Sequence, residues 1–128
     1  MEQQMQPQVV ALGVLAEQAR IEDKVGPAWS LVSEDLNLNL VRFTAGDGVD
    51  EHINNEVDVV GIVVAGAGIV TIEGKNERVS AGQLFFVPKG MRRSMRAVET
   101  VEGSESGEDF VYLTCHRRRM GLMPTRRG

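Results

Sequence analysis

The chain has 128 residues, of which 42% are hydrophobic and 25% are charged. This length suits one globular domain with a single core and is too short for two. The longest apolar stretch, Val59 to Ala67, is far shorter than a membrane span and is predicted to form a buried strand. The formal net charge of −4 disfavours nucleic acid as the main partner. We therefore expect neither a membrane nor a nucleic acid as a partner.

The cysteine content and the first residues both bear on the cellular compartment. Cys115 is the single cysteine, so the chain cannot form an internal disulfide. The first residues, Met1 to Gln4, lack the basic start and the long apolar run of a signal peptide. We therefore expect a cytoplasmic protein.

The first part of the chain predicts a helical arm followed by a strand. Residues 9–20 form the one plausible helix, and Gly13 weakens it. Gly26-Pro27 is interpreted as a linker, so that residues 1–27 make up the arm. After it, leucines at every second position of residues 36–41 alternate with Asn37, Asn39 and Val41, which is typical of a half-buried strand.

The rest of the chain alternates short strands with turns. Further strands are predicted at residues 57–65, 69–72, 83–87 and 110–115, with turns at 45–48 and 73–76. Pro88 cannot donate to a strand ladder and so closes the strand before it. Many short strands with almost no helix predict an all-β fold, an antiparallel β-barrel of the double-sheet jelly-roll type. We assign residues 28–120 to this barrel and residues 121–128 to a basic C-terminal tail.

Charge is distributed unevenly along the second half of the chain. Basic residues cluster at Lys89, Arg92, Arg93 and Arg96, whereas residues 99–109 are strongly acidic. One interpretation is that the acidic loop and the basic C-terminal tail are solvated and balance each other across a dimer. The other is that the basic cluster forms a site for an anionic ligand.

Two glycine-containing motifs are the most specific feature of the sequence. Gly46-x5-His52-x-Asn54 continues to Gly66, and Gly82-x5-Pro88-x-Gly90-x2-Arg93 follows. These spacings resemble the signature motifs of the cupin superfamily, G-x5-H-x-H-x3–4-E-x6-G and G-x5-P-x-G-x2-H-x3-N. The resemblance covers roughly residues 36–116 and implies the cupin β-barrel. It also implies a homodimer, which would cover the outer faces of the valine-rich strands.

The resemblance is incomplete at the positions that bind metal in the family. His52 matches the first ligand, but Asn54 replaces the second histidine and Arg93 replaces the histidine of the second motif. The glutamate position falls on Asp58 or on Val59, depending on the spacing used. An amide is a poor ligand for a transition metal, and an arginine at an inner position would repel a divalent cation. We therefore expect no metal cofactor.

Three functions from different classes remain open. The first is a barrel that binds a small, anionic molecule without a metal: His52 would transfer a proton, Asp58 would orient His52, and Arg93 would anchor the ligand. The second is an oxygenase or isomerase with iron, manganese, nickel, copper or zinc, held by His52, His116 and a carboxylate from Asp58 or Glu56. The third is a non-catalytic binding or regulatory module that acts through the basic tail. Further candidate ligand-binding residues are Asn54, Glu56, Tyr112 and His116.

Overall fold

The computed structural model describes residues 6–98 and 109–118. Within these residues the chain forms one α-helix, α1 (Leu12–Ile21), and nine β-strands. The strands are β1 (Gly26–Val32), β2 (Leu36–Phe43), β3 (Gly48–Ile53), β4 (Val59–Ala65), β5 (Ala67–Ile72), β6 (Lys75–Ser80), β7 (Leu84–Val87), β8 (Arg92–Ala97) and β9 (Phe110–Arg117).

The strands form two antiparallel sheets that pack face to face. One sheet has five strands in the order β1-β2-β9-β4-β7, and the other has four in the order β3-β8-β5-β6. The β-hairpin of β5 and β6 is built as the sequence predicts, with Glu73 and Gly74 in left-handed conformations at its turn. The all-β jelly roll predicted from the sequence is confirmed.

The main core lies between the two sheets. It is built by alternate residues of facing strands, because successive side chains of a strand point to opposite faces. The inner face of the five-stranded sheet contributes aromatic rings from Phe43, Phe85, Phe110 and Tyr112. Buried side chains of the other sheet pack against them: Val70, Val79, Met95 and Ala97.

A second, smaller cluster lies on the outer face of the five-stranded sheet. Leu40, Val111 and Leu113 are buried there, and Leu12 and Leu15 of α1 pack against them. The helix of the arm therefore covers part of the outer face of the five-stranded sheet. Where leucines and asparagines alternate in β2, the leucine side lies under or near the helix and the asparagine side faces the other sheet.

The structure differs from the sequence prediction at the end of the arm. β1 begins at Gly26, inside the segment interpreted as a linker. Pro27 is compatible with this strand because β1 lies at an edge of its sheet, where a missing backbone donor is tolerated. The helix begins at Leu12 rather than at residue 9.

Arg42 is a buried cation that connects the arm to the barrel. Its guanidinium binds the Asp109 carboxylate at 2.7 Å, the Asp23 carboxylate at 3.4 Å and the carbonyl oxygen of Lys24 at 2.8 Å. Arg42 is therefore paired with Asp23 and Asp109, and it forms no ion pair with Asp58. Residues 99–108 and the tail at 121–128 lie outside the described residues, and the predictions on them stay predictions.

α1 is the one helix of the described residues, and it is too short to span a membrane.

Candidate functional site

Arg93 and His52 lie side by side on the inner face of the four-stranded sheet. Arg93 shares the inward face of β8 with Met95 and Ala97 of the core. His52 of β3 is its register partner on one side, and Ile72 of β5 is its partner on the other. Directly opposite residues of an antiparallel pair project to the same face. His52 and Arg93 are thus brought together, as the sequence predicts for the first hypothesis.

Arg93 is buried, with 4% of its surface exposed. Its Nε donates to the carbonyl oxygen of Met91 at 2.9 Å, and its Nη2 donates to that of Pro88 at 3.1 Å. Among the described residues no carboxylate forms an ion pair with it, and burial lowers the pKa of the guanidinium below its usual value. The neighbouring Arg92 is exposed, so the two side chains diverge as expected from strand alternation.

His52 is exposed, and it lies just after a β-bulge in β3. Its Nδ1 lies 2.9 Å from the carbonyl oxygen of Asp50. Because a carbonyl oxygen can only accept, Nδ1 carries the proton in this hydrogen bond, and Nε2 of the neutral ring is left as an acceptor. A main-chain carbonyl, and not Asp58, therefore orients the ring.

The residues between β3 and β4 form a clip that holds the turn before β8. The side-chain oxygen of Asn54 accepts from the backbone N–H of Glu56 at 2.8 Å. The main-chain carbonyl oxygen of Asn54 accepts from the N–H of Gly90 at 2.7 Å. The Asp58 carboxylate accepts from the N–H of Lys89 at 2.9 Å. Asn54 and Asp58 therefore connect the two motifs structurally, and the predicted role of Asp58 as the orienter of His52 is wrong.

The register of β4 decides which residue occupies the glutamate position of the family. Val59 is the register partner of Val87 and has the same parity as Val63, and both of these lie in the core. Asp58 precedes the strand and is exposed. The inner face therefore carries a valine at this point. Asp58 forms no ion pair with Arg93, because its carboxylate accepts from the backbone N–H of Lys89.

A second polar group faces inward on the five-stranded sheet. His116 is the register partner of Asn37, and Thr114 is the partner of Asn39. All four have the parity of the core residues Val41 and Tyr112 and are half-buried. We call His52, Arg93 and these four residues the barrel mouth.

The two parts of the barrel mouth belong to the same end of the barrel. Cys115, next to His116, pairs with Val60 of β4. The preceding residue of β4, Val59, pairs with Val87, and the following Pro88 accepts the hydrogen bond from Arg93. Glu56, a candidate ligand-binding residue from the sequence, is exposed in the loop at this end of the barrel. Its main-chain carbonyl oxygen accepts from the Arg117 guanidinium at 3.3 Å.

Tyr112 lies one step deeper than Thr114 on the same face. It is 2% exposed, and its ring packs against Phe43, Phe85 and Phe110 with centroid distances of 5.0 to 6.4 Å. Burial raises the pKa of its hydroxyl above the usual value. No described residue forms a hydrogen bond with this hydroxyl, which makes it a polar group inside an apolar cluster.

The residues present do not fit a metal ion held in the family manner. Of the four family positions only His52 carries a suitable ligand, since Asn54 caps a turn, Val59 is apolar and Arg93 is a cation. Across residues 6–98 and 109–118, no three histidine, cysteine or acidic side chains are grouped as a metal site. The set of His52, His116 and a carboxylate is therefore not assembled.

A cleft of about 440 Å³ opens beside the barrel mouth, between β5, β6 and β7. Its wall includes core residues Val70, Val79 and Phe85. It reaches Ile72, the register partner of Arg93. Sequence reasoning missed this cleft and the inward-facing Asn37, Asn39 and Thr114. The asparagines share the parity of Val41 and Phe43, which is the signal that points them inward.

Comparison with known proteins gives the same fold. A family model described as a cupin domain matches residues 39–104, more than half of the chain. KdgF from Halomonas sp. is 27% identical and superposes with a TM-score of 0.60, covering 72% of this chain and 78% of that one. BH2720 from Bacillus halodurans has a TM-score of 0.69 at 15% identity, over 96% of this chain and 85% of that one. At that identity the likeness shows the fold alone.

One curated relative is similar over part of its length. The endoribonuclease YbeY of Myxococcus xanthus (strain DK1622) is 39% identical over 74 residues, which make up 57% of this chain. The matched segment is 24% of that protein, so the chain corresponds to about a quarter of this relative.

Proposed function

This chain belongs to the cupin superfamily, and we propose that it binds a small anionic molecule at the barrel mouth without a metal ion. The observation that carries the proposal is the guanidinium of Arg93, which is buried and has no carboxylate partner among the described residues. Removing a charge from water is costly unless an opposite charge or several hydrogen bonds compensate. An anionic ligand supplies both.

The hydrogen bonds of Arg93 leave it suited to this role. A guanidinium has five N–H donors, and two of them are used by main-chain carbonyls that hold the group in place. The other donors, those of Nη1 among them, are available to a carboxylate or a phosphate, which arginine binds through paired hydrogen bonds. The fixed carbonyl contacts reduce the entropy lost when a ligand binds.

His52 is the residue of the barrel mouth that can move a proton. The Nδ1 of His52 donates to the carbonyl oxygen of Asp50, so Nε2 is its free basic atom. His52 is also the register partner of Arg93 on the neighbouring strand. A ligand anchored on Arg93 therefore has its neighbouring atoms beside a general base. Any acid–base chemistry would use His52 alone, since Asp58 is bound elsewhere.

The test is isothermal titration of the full chain with a panel of small carboxylates and sugar phosphates. We expect at least one to bind, and Arg93→Met to weaken it about 10- to 100-fold, the loss expected for hydrogen bonds to a charged group. Methionine fills a similar volume and removes a charge that is costly to bury without an opposite charge, so the barrel should stay folded. Arg92→Met is the matched control, since Arg92 is exposed on the other face. Binding that survives in Arg93→Met would overturn the proposal.

A metal-dependent enzyme of the cupin kind is the second candidate, although the described residues bring no carboxylate to its two histidines. It is favoured by one observation: both His52 and His116 use Nδ1 toward a main-chain carbonyl, which leaves Nε2 of each free at the barrel mouth. Elemental analysis after incubation with iron, manganese, nickel, copper and zinc separates the candidates. Near-stoichiometric metal that is lost in His52→Ala would support the enzyme and overturn metal-free binding.

RNA cleavage is not the function that the chain itself favours. The Myxococcus relative bears the name of an endoribonuclease, but three quarters of its length has no counterpart in the match. The net charge of −4 also opposes binding to a polyanion. The regulatory module that acts through the tail stays a prediction, since the tail is outside the described residues.

A further inference from the structure

The two walls of the barrel mouth differ in chemistry, and from this difference we infer that the ligand is a hydroxylated monocarboxylate, a compound of the sugar-acid class. The inference rests on the proposed function, because it assumes that Arg93 holds the anion. It adds which other groups the ligand carries and where they lie.

The wall formed by β3 and β8 provides a single buried positive charge. Arg93 is the one cation of the described barrel interior, since Arg92 and Arg96 project outward and are exposed. His52 beside it uses Nδ1 in its hydrogen bond to the Asp50 carbonyl oxygen, which leaves Nε2 for the ligand. One buried cation balances one carboxylate. A phosphate dianion would leave a second negative charge in a partly buried site, which is costly.

The wall formed by β2 and β9 provides neutral hydrogen-bonding groups. The side-chain amide of Asn39 donates to the side-chain oxygen of Asn37 at 3.1 Å. The Thr114 hydroxyl donates to the main-chain carbonyl oxygen of Asn39 at 3.4 Å. These contacts leave the Asn37 amide N–H groups as donors and the Asn39 amide oxygen as an acceptor. His116 Nε2 adds another acceptor on the same face.

A wall with both donors and acceptors matches hydroxyl groups. Each hydroxyl donates one hydrogen bond and accepts up to two, so adjacent hydroxyls can pair with the asparagine amides and with His116. An apolar acid would displace the water bound to these side chains and would offer no hydrogen bonds in its place. Sites built to bind a hydroxyl discriminate strongly against an analogue that lacks it, because their polar groups are left unpaired.

The inner end of the barrel mouth, which is formed by Tyr112, supports the same ligand class. The buried Tyr112 hydroxyl has no partner among the described residues, and Tyr112 lies next below Thr114 on the inner face. Below it the interior is filled by Phe43, Phe110 and Met95. The inward-facing polar side chains named here thus lie at the end of the barrel that Arg93 occupies, and they suit a small polar molecule.

Titration calorimetry of the full chain with four probes tests the inference. Gluconate carries both features, hexanoate has the carboxylate alone, glucitol has the hydroxyls alone, and glucose 6-phosphate has a dianion with hydroxyls. We expect gluconate to bind at least about tenfold more tightly than each of the other three. We also expect Asn37→Ala and Asn39→Ala to weaken gluconate and to leave hexanoate unchanged. Asn76→Ala is the control, because Asn76 is an exposed asparagine of β6 outside the barrel mouth.

The outcomes separate this inference from the proposed function. Hexanoate that binds as tightly as gluconate and still depends on Arg93 would overturn the ligand class and leave anion binding in place. Tighter binding of glucose 6-phosphate would overturn the monocarboxylate. If no probe binds, or if Arg93→Met binds gluconate like the wild type, both the inference and the proposed function fail.

Discussion

Tyr112 places a hydroxyl in a cluster that is otherwise hydrocarbon. Its ring packs well, with Phe110 at a centroid distance of 5.0 Å and Phe85 edge-on at 5.8 Å. The hydroxyl, in contrast, has no hydrogen bond to any residue of the described segments. A buried polar group without a partner costs about 1–3 kcal/mol. Such a cost at the floor of the barrel mouth is typical of a site in which stability gives way to binding.

The expected result of Tyr112→Phe is a more stable protein. The change keeps the ring and removes the unpaired hydroxyl, so we expect the free energy of unfolding to rise by about 1 kcal/mol. Urea denaturation followed by circular dichroism measures it. Val111→Ala is a useful reference, because it truncates a well-packed residue of the outer cluster and should lower stability by about 1–3 kcal/mol. A drop in stability for Tyr112→Phe would show that the hydroxyl is satisfied.

For Arg93 and Asp58, the sequence predicts their place near the barrel mouth better than it predicts what they contact. Arg93 follows from the motif spacing, and strand alternation predicts that one of Arg92 and Arg93 points inward and the other outward. The partner of Asp58 does not follow from either, because its hydrogen bond to Lys89 N–H depends on how two loops that are far apart in sequence approach each other. A one-residue change of register would also have exchanged Asp58 and Val59.

At the scale of whole elements, the loop between β3 and β4 fixes the turn that leads into β8. The Asp58 carboxylate and the Asn54 carbonyl oxygen accept from the backbone of successive residues, Lys89 and Gly90. The turn in turn supplies the Pro88 carbonyl that holds Arg93. Asn54, which stands at a metal-binding position of the family motif, and the nearby Asp58 thus help to position the arginine here.

Asp58→Ala should weaken this clip. We expect a loss of about 0.5–1 kcal/mol in unfolding free energy, a modest value because the hydrogen bond is exposed. Asp58→Asn keeps a side-chain oxygen that can accept from Lys89 N–H, and it should retain most of the stability. Urea midpoints of the three proteins give the comparison. Equal losses in the two variants would mean that the negative charge, and not the hydrogen bond, is what matters.

Two glycines show how far packing overrides local preference. A Cβ on Gly68 of β5 would lie 2.4 Å from the Phe110 ring, whereas a Cβ on Gly13 of α1 would meet nothing within 4 Å. We expect Gly68→Ala to destabilise the protein by about 1–3 kcal/mol through overpacking. Gly13→Ala should stabilise it by up to about 1 kcal/mol, because alanine favours helix. Thermal unfolding of both variants measures the contrast, and a neutral Gly68→Ala would mean that Phe110 can move aside.

The alternation in β2 shows why the site was harder to predict than the fold. A strand of alternating leucine and asparagine is recognised from period two alone. Which side faces the other sheet depends on what covers the outer face, and here α1 covers the leucines. The asparagines are consequently turned into the barrel, where they would be unexpected in an ordinary core. The local pattern therefore determines that β2 is a strand, and tertiary packing determines which of its two faces points into the barrel.

At the scale of the whole molecule, α1 covers one part of the outer face of the five-stranded sheet and leaves another part exposed. Ile62 of β4 and Leu84 of β7 are register partners there, and Phe86 of β7 follows on the same face. Their exposed fractions are 36%, 60% and 50%. β7 is also an edge strand. Contiguous apolar side chains at a sheet edge are typical of a surface that associates.

The homodimer expected from the family resemblance is therefore predicted to use this surface. We expect light scattering coupled to size exclusion to give twice the chain mass of 14.0 kDa for the wild type and a monomer for Leu84→Lys/Phe86→Lys. Two charges buried at an interface without partners cost several kcal/mol, enough to dissociate a dimer. Val14→Lys, a change of an exposed valine on α1, should leave the dimer intact. A monomeric wild type would refute the dimer, and a double variant that stays dimeric would move the interface away from β7.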